Sequence, residues 1–364
     1  MNFDGHERED VIEYRHKFLR YMIEVGFLHP DQAPTPEAAR AFPTDVPLPS
    51  TETRNKTVVF FHDESTFQAN DDQRRQWGRK GEFMIRPKSK GSGIMVSDFI
   101  DERNGYLRLT DAEYERARAI DPTIKQTARQ LLEYGESRDG YWTRDKFLSQ
   151  IEQSVKIAGA KYPKTDGWKH VWVFDQSSCH TAMADDALDA SKMNVKPGGK
   201  QPVMRDTVNA ENVQMSFNLG VPKGMKAILE ERGINTQNLK GEQMREILSN
   251  HDDFQNEQPK IIHYLQQKGH KAYFLPKFHP ELNAIERVWA QPKHYTKAYR
   301  KYTIVSLRKN VNPGLESVTL QNIQNFHRKA KDYMFAYFEG HGAGRQLEDK
   351  VKLYKSHRRV GTNA

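Results

Sequence analysis

The chain has 364 residues, of which 37% are hydrophobic, 29% charged and 10% aromatic; it can build one large or two modest cores and is not a disordered tail. No run approaches the roughly 18 apolar residues of a membrane span, and the opening MNFDGHERED has no apolar signal core, so a soluble, unsecreted chain is expected. A single cysteine, Cys179, excludes a disulfide framework and a cysteine-built zinc site, while 56 Lys and Arg against 48 Asp and Glu leave a charge of +8 that points to a polyanionic partner.

The excess is uneven, because residues 1–56 hold only seven basic against ten acidic residues. Within them EYRHKFLRYMIEVGFL has helical periodicity, and the Pro-rich DQAPTPEAARAFPTDVPLPS that follows predicts a linker without regular structure. KTVVFFHDEST reads as a buried strand with a polar end, and further strands are expected over Glu82 to Arg86 and Ile94 to Ile100, separated by the turn PKSKGSG. Phe147, Leu148, Ile151, Val155 and Ala158 lie on one face of a helix. HVWVFDQSSCH is a strand ending on Asp175, with a helix expected to start near Thr181. In HKAYFLPKFHPELNAIERVW a strand ends at Pro276, and a helix beginning near Pro280 or Glu281 is expected to carry Glu286 and Trp289.

Alternation of this kind predicts a mixed α/β core. Residues from about 192 to 267 are too many for a connection and predict an inserted, mainly helical segment holding MKAILEERGI and KGEQMREILSN. The expected division is an N-terminal helical arm and linker (1–56), a catalytic domain (57–310) and a C-terminal helix with a basic tail (311–364).

Three acids stand at the ends of apolar elements: Asp63 after VVFFH, Asp175 after VWVF and Glu286 after LNAI. Carboxylates gathered from separate elements bind hard divalent cations, and two such ions about 4 Å apart activate a water or hydroxyl and stabilise the leaving oxygen in phosphoryl transfer. Each acid taken alone is equally compatible with a solvated carboxylate or a helix cap.

The words around them, HDESTF, VFDQSSCHTA and LPKFHPELNAIERVW, resemble in this order the catalytic domain of the Tc1/mariner and IS630 transposase superfamily. QWGRKGEF and GSGIMVSDFI are similar to the segment and strand between its first two acids, with Trp77 and Gly81 in matching places. The resemblance implies an RNase H-like fold, a mixed sheet flanked by helices, and a DDE endonuclease whose acids are Asp63, Asp175 and Glu286, together holding two magnesium or manganese ions. It further implies DNA as partner, a homodimer on that DNA, and cleavage at an element end followed by attack of the 3′ hydroxyl on target DNA. A nuclear location is expected in a eukaryote and a cytoplasmic one otherwise. The chain departs from the pattern in the separation of 111 positions from Asp175 to Glu286, in Ala284 where proline is usual, and in Pro292, expected to kink the following helix. Only 62 residues precede Asp63, too few for the family's paired recognition domains, so a fragment, a truncated copy or a domesticated remnant is expected. A catalytically idle DNA-binding descendant and an unrelated metal-dependent nuclease are the alternative functions.

From Arg287 through Leu315 no acid occurs, while Arg287, Lys293, Lys297, Arg300 and Lys301 alternate with Trp289, Tyr295, Tyr299 and Tyr302. A phosphate-binding track has this composition, and so does a solvated helix face. A second basic group includes Arg79, Lys80, Lys88 and Lys90. MKAILEERGINTQNLKGEQMREIL resembles the SAP motif, though two amphipathic helices packing on a core give the same period. His180 is placed behind the acids or beside the phosphate, and Glu64, which strand alternation turns away from Asp63, is assigned a structural role.

Overall fold

A computed structural model describes residues 5–72, 88–208, 213–218 and 220–356. They form two compact units, Met1–His180 with Leu265–Ala364, and Thr181–Tyr264. The first unit begins with helices α1 (Glu9–Glu24), α2 (Pro36–Arg40) and α3 (Thr51–Asn55), then strands β1 (Thr57–Gln68), β2 (Gly93–Asp101) and β3 (Gly105–Tyr106). Helix α4 (Asp111–Ile120), β4 (Gln130–Leu132), α5 (Arg144–Lys161) and β5 (Lys169–Phe174) follow. Next come a hairpin of β6 (Thr207–Val208) and β7 (Gln214–Met215), and helices α6 (Met225–Glu231), α7 (Gly241–Ser249), α8 (Asp252–Gln255) and α9 (Lys260–Gln267). The chain closes with β8 (Lys271–Phe274), α10 (Ala290–Ala298), α11 (Ile304–Glu316), α12 (Leu320–Phe338) and α13 (Arg345–Ser356). Among the described residues no helix is long and apolar enough to cross a membrane.

The main sheet has the order β3-β2-β1-β5-β8, with β4 also paired to β2. β1 runs antiparallel to β2 and parallel to β5, which runs parallel to β8. An antiparallel pair continued by parallel strands, with helices on both faces, is the mixed sheet flanked by helices expected from the sequence. The central strand is buried on both sides, which is why VVFF is continuous rather than alternating. Val59, Phe61 and Phe67 pack with α1, α11 and α12. Phe60 and His62 face the other way, onto Tyr162 and Phe147 of the α5 layer.

The N-terminal segment is not an arm. Its helix α1 presents an apolar stripe that must be covered, and Phe18, Leu19, Met22 and Ile23 are fully buried in the main core. Tyr21 stacks on Tyr273 at 4.4 Å, and the Tyr14 hydroxyl donates to the Phe274 carbonyl at 3.1 Å. The Pro-rich stretch also contains structure: Pro36 occupies the first turn of α2, where its missing N–H costs nothing, and Thr35 and Ser50 cap α2 and α3. The strand expected over Glu82 to Arg86 lies outside the described residues.

Residues 181–264 have their own core, in which Met225, Ile228 and Leu229 of α6 meet Met244 and Leu248 of α7. Arg232 and Asp253 form a bidentate pair at 2.9 and 2.6 Å, with side chains only 6% and 1% exposed. The two periodic segments of the SAP-like stretch are therefore packing faces. The unit begins at Thr181 rather than near residue 192, because Leu188 and Ala190 belong to its core. No helix starts at Thr181; the chain turns there, and the first helical turn is Ala190–Lys192.

His327 of α12 is fully buried against Phe27 and Phe61, with no partner for either ring nitrogen. Burial pushes its imidazole down to about 3. A depressed histidine stabilises the fold fully above the unfolded value near 6.5 and ceases to do so as pH falls toward the folded one. Between pH 7 and pH 5 this costs about 2 kcal/mol. His327→Phe should therefore flatten the fall in melting temperature over that range; an unchanged slope would show that the ring is not buried neutral.

Candidate functional site

The register of β1 and β5 brings the first two acids together. Phe61 pairs with Val173, so two residues further along Asp63 and Asp175 stand level where the parallel pairing stops. Asp175 follows the last residue of β5, whereas Asp63, expected at a strand end, lies inside β1, which continues to Gln68 against β2. Side chains alternate along a strand, which puts Asp63 and Asp175 on the α11–α12 side and Glu64 on the α5 side.

The third acid arrives on the connection after β8. The Leu275 amide donates to the Phe174 carbonyl at 2.7 Å, extending the β5–β8 pairing to the strand end. The chain then makes two single helical turns, Pro280–Leu282 and Ala284–Arg287, and the α-helix proper begins only at Ala290. The continuous helix expected from Pro280 or Glu281 is thus broken, because Asn283 is extended (φ −92°, ψ 108°) and its amide donates to the His62 carbonyl on β1 at 3.1 Å. Leu282, Ala284, Ile285 and Val288 are fully buried around this tether, and Glu286 projects at the rim. Pro292 does not kink α10: it is the third residue of that helix, where the backbone N–H has no intrahelical acceptor to lose.

Charge is crowded at this point. Asp63 is 8% exposed, and burial together with the Glu286 carboxylate drives it well above the ordinary carboxylate range, against a 2.7 Å hydrogen bond from Trp289 Nε1. Burial and the Asp175 charge also raise Glu286, partly offset by its hydrogen bond with Asp63 and by Lys293. Asp98, the cross-strand partner of Asp63, adds little to the crowding because Arg129 neutralises it at 2.6 Å.

Asp175 is held from the opposite side of the sheet. Its Oδ1 meets His180 Nδ1 at 2.5 Å, and His180 Nε2 meets Glu64 Oε1 at 3.1 Å. The same Glu64 oxygen accepts from Trp142 Nε1 at 2.9 Å. Burial alone would lower His180, but its bonds to the two carboxylates outweigh that and raise it to about 9, so a buried imidazolium bridges Asp175 and Glu64. Burial opposes ionisation of Glu64; the ring of His62 and the bonds from His180 and Trp142 bring it down to about 2 all the same. His180 stands behind the acids as expected, and the structural role assigned to Glu64 takes a specific form, as the counter-charge of the imidazolium.

A cleft of about 310 Å³ opens beside the acids, lined by Asp175, Gln176, Lys277, Phe278, Asn283 and Glu286 among others. Among the described residues, the donor sets that converge within 4.8 Å are His6, His279 and Glu281, and His62, Glu64 and His180. Hydrogen bonds already engage both: His279 is held by Glu281 at 2.7 Å and Tyr337 at 3.1 Å. Asp63, Asp175 and Glu286 do not all meet within that distance, although Asp63 and Glu286 share a hydrogen bond, and they supply oxygen donors of the kind that suits magnesium or manganese.

The basic candidates separate into two groups. Lys297 pairs with Asp71 at 3.0 Å and Arg300 pairs with Asp72, so acids just beyond β1 cancel their charges. Arg287 lies over the Tyr333 ring at 5.1 Å. Lys293 is half-buried, while Lys88, Lys90 and Lys301 are exposed; Arg79 and Lys80, with Trp77 and Gly81, lie outside the described residues. Sequence reasoning had no access to the roles of Trp142 and Trp289: each bonds a carboxylate 78 or 226 positions away, and the only signal was an indole placed close to the site's own segments.

No family model and no curated protein sequence matches the chain. Solved structures similar to it include the Mos1 mariner paired end complex with manganese, at TM-score 0.48 and 10% identity over 95% of this chain and 67% of that one. They also include the Mos1 transposase paired-end complex with left transposon end, at 0.45 and 11% over 97% and 65%. A pre-cleavage Mos1 transpososome matches at 0.44 and 11% over 97% and 66%. The chain spans about two thirds of the length of these chains.

A carboxyl raised by folding costs stability as pH climbs from about 4 toward its folded value. Asp63→Asn keeps an acceptor for Trp289 and removes the charge. Without divalent metal at pH 7 it should raise the melting temperature by roughly 2–4 °C, the shift that about 1 kcal/mol gives in a large domain. The gain should fade toward pH 4, and an equal or lower melting temperature at pH 7 would contradict the crowding.

Proposed function

We propose that the chain is a transposase-like DDE endonuclease and strand transferase of the Tc1/mariner kind, acting on DNA phosphodiesters. The observation that carries this reading is the convergence of Asp63, Asp175 and Glu286 from three separate elements, where burial and neighbouring carboxylates together raise Asp63 and Glu286. Such a cluster is unfavourable by itself and is relieved by cations.

Asp63, Asp175 and Glu286 would hold two magnesium or manganese ions. When bound, the ions lower the pKa of the attacking water or hydroxyl and stabilise the leaving oxygen at phosphorus. Trp289 fixes the rotamer of Asp63, and the His180–Glu64–Trp142 chain fixes that of Asp175, so two of the three ligands are oriented in advance. Asn283 pins the turn that presents Glu286. Lys88, Lys90, Lys293 and Lys301 would receive the phosphate backbone, joined by Arg79 and Lys80 from the sequence pattern. A homodimer on DNA belongs to the same proposal.

The test is nicking of supercoiled plasmid by the purified chain in magnesium or manganese, beside Asp175→Ala. Nicking that requires the metal and drops at least about a hundredfold in the variant, with the fold intact by circular dichroism, is expected. Equal nicking by Asp175→Ala would remove the assignment. DNA binding without nicking by either protein would favour an idle, transposase-derived binder.

A further inference from the structure

The turn between β8 and the Glu286 segment contains an aromatic residue where local chemistry asks for glycine. The His279 amide approaches the Pro276 carbonyl at 3.3 Å, closing a four-residue turn whose third residue, Phe278, has φ +65°. That position of such a turn favours Gly or Asn, since a Cβ crowds the backbone in the left-handed region, and a bulky side chain there is a marked exception. The usual compensation, burial of the ring in a core, is missing: Phe278 is 48% exposed, between buried Pro276 and buried His279. One part of the ring rests on the Gly5 backbone, so closely that a Cβ on residue 5 would lie 2.6 Å from it, and the His6 ring stands 6.1 Å away. Phe278 also lines the cleft that holds Asp175 and Glu286, next to exposed Lys277.

We infer that Phe278 is a stacking platform for an unpaired nucleobase beside the phosphate that the acids engage. The inference rests on the proposed action on DNA and adds to it a substrate feature: the strand at the cleft presents a base out of its stack. An exposed aromatic face held rigidly beside a phosphate site, with a lysine at its edge, is how proteins grip single-stranded or frayed nucleic acid without reading its sequence. Strained backbone is retained where the side chain it displays is needed.

The test uses the whole chain and a DNA duplex whose short 3′ overhang carries 2-aminopurine, mixed in calcium. Wild type should quench the fluorophore on binding. Phe278→Gly satisfies the turn, so its melting temperature should equal or exceed that of wild type, while quenching is lost and affinity for the overhang falls between about fivefold and a hundredfold. Phe278→Leu, strained but not aromatic, should lose quenching too, and Phe278→Trp should keep it. Absence of quenching by wild type, or wild-type quenching and affinity in Phe278→Gly, would overturn the inference. So would a lower melting temperature in Phe278→Gly with DNA binding unchanged, which would make the ring an anchor for Gly5 and His6 only. Plasmid nicking in magnesium, run in parallel, separates the two readings. Phe278-dependent quenching without any nicking sinks the nuclease and leaves the base contact; nicking with no Phe278-dependent quenching does the reverse.

Discussion

Parallel pairing between β1 and β5 has a fixed offset, and that offset decides whether a site exists. With Phe61 opposite Val173, Asp63 and Asp175 emerge level where the parallel pairing stops. A slip of one residue would turn one of them to the α5 face. What fixes the register is burial: Val59, Phe61, Val171 and Val173 pack on one face while Phe60 and Trp172 pack on the other, with ring centroids 4.5 Å apart. Neither strand has a solvent face that would tolerate slippage. Apolar packing several residues upstream therefore sets the spacing of the carboxylates, and the β8 connection, tied to β1 through Asn283, adds the third to a frame already rigid.

The frame holds charges in an arrangement that they oppose. Each level acid has a donor of a different kind, and the difference follows from its surroundings. Asp63 is buried and receives a neutral indole N–H; Asp175 has a 44% exposed side chain and receives a protonated imidazole. A full cation beside Asp63 would have lowered its carboxyl and competed with any metal, whereas Trp289 orients it without cancelling its charge. The imidazolium is confined to the other side of the sheet, where Glu64 balances it and Phe147 covers its ring at 4.2 Å. Negative charge is thereby concentrated toward the cleft and balanced behind it.

Much of this was legible in the sequence because strand ends are legible. Apolar runs that stop near Asp63 and Asp175 mark both elements, although β1 continues past Asp63 to Gln68, and the resemblance carried by the words implied a mixed sheet flanked by helices. What escaped depended on partners distant along the chain. Lys297 and Arg300 look like an unbalanced basic track until the fold brings Asp71 and Asp72 to them. ELNAIERVW has the period of a helix, yet one side-chain bond from Asn283 outweighs propensity and leaves two short turns. The N-terminal segment was read as an arm because proline-rich stretches usually connect, although the apolar face of α1 already required a partner.

Three departures from local rules gather around the cleft. A carboxylate is buried beside another at Asp63 and Glu286, an imidazolium is buried behind Asp175, and a phenylalanine takes a glycine conformation at residue 278. Other departures lie apart from the cleft, at buried His327, at Pro313 inside α11 and at Tyr302 with φ +53°, while caps are filled at Thr35, Ser50, Thr110, Thr143, Thr303 and Thr319 and the core strands contain continuous apolar runs. Three conflicts meeting at one opening indicate that the fold supports a feature there that it would be more stable without. The order of cause runs from the apolar frame, whose stability can carry the strain, to the crowded carboxylates and the displayed ring, and from these to a surface suited to cations and a nucleic-acid strand.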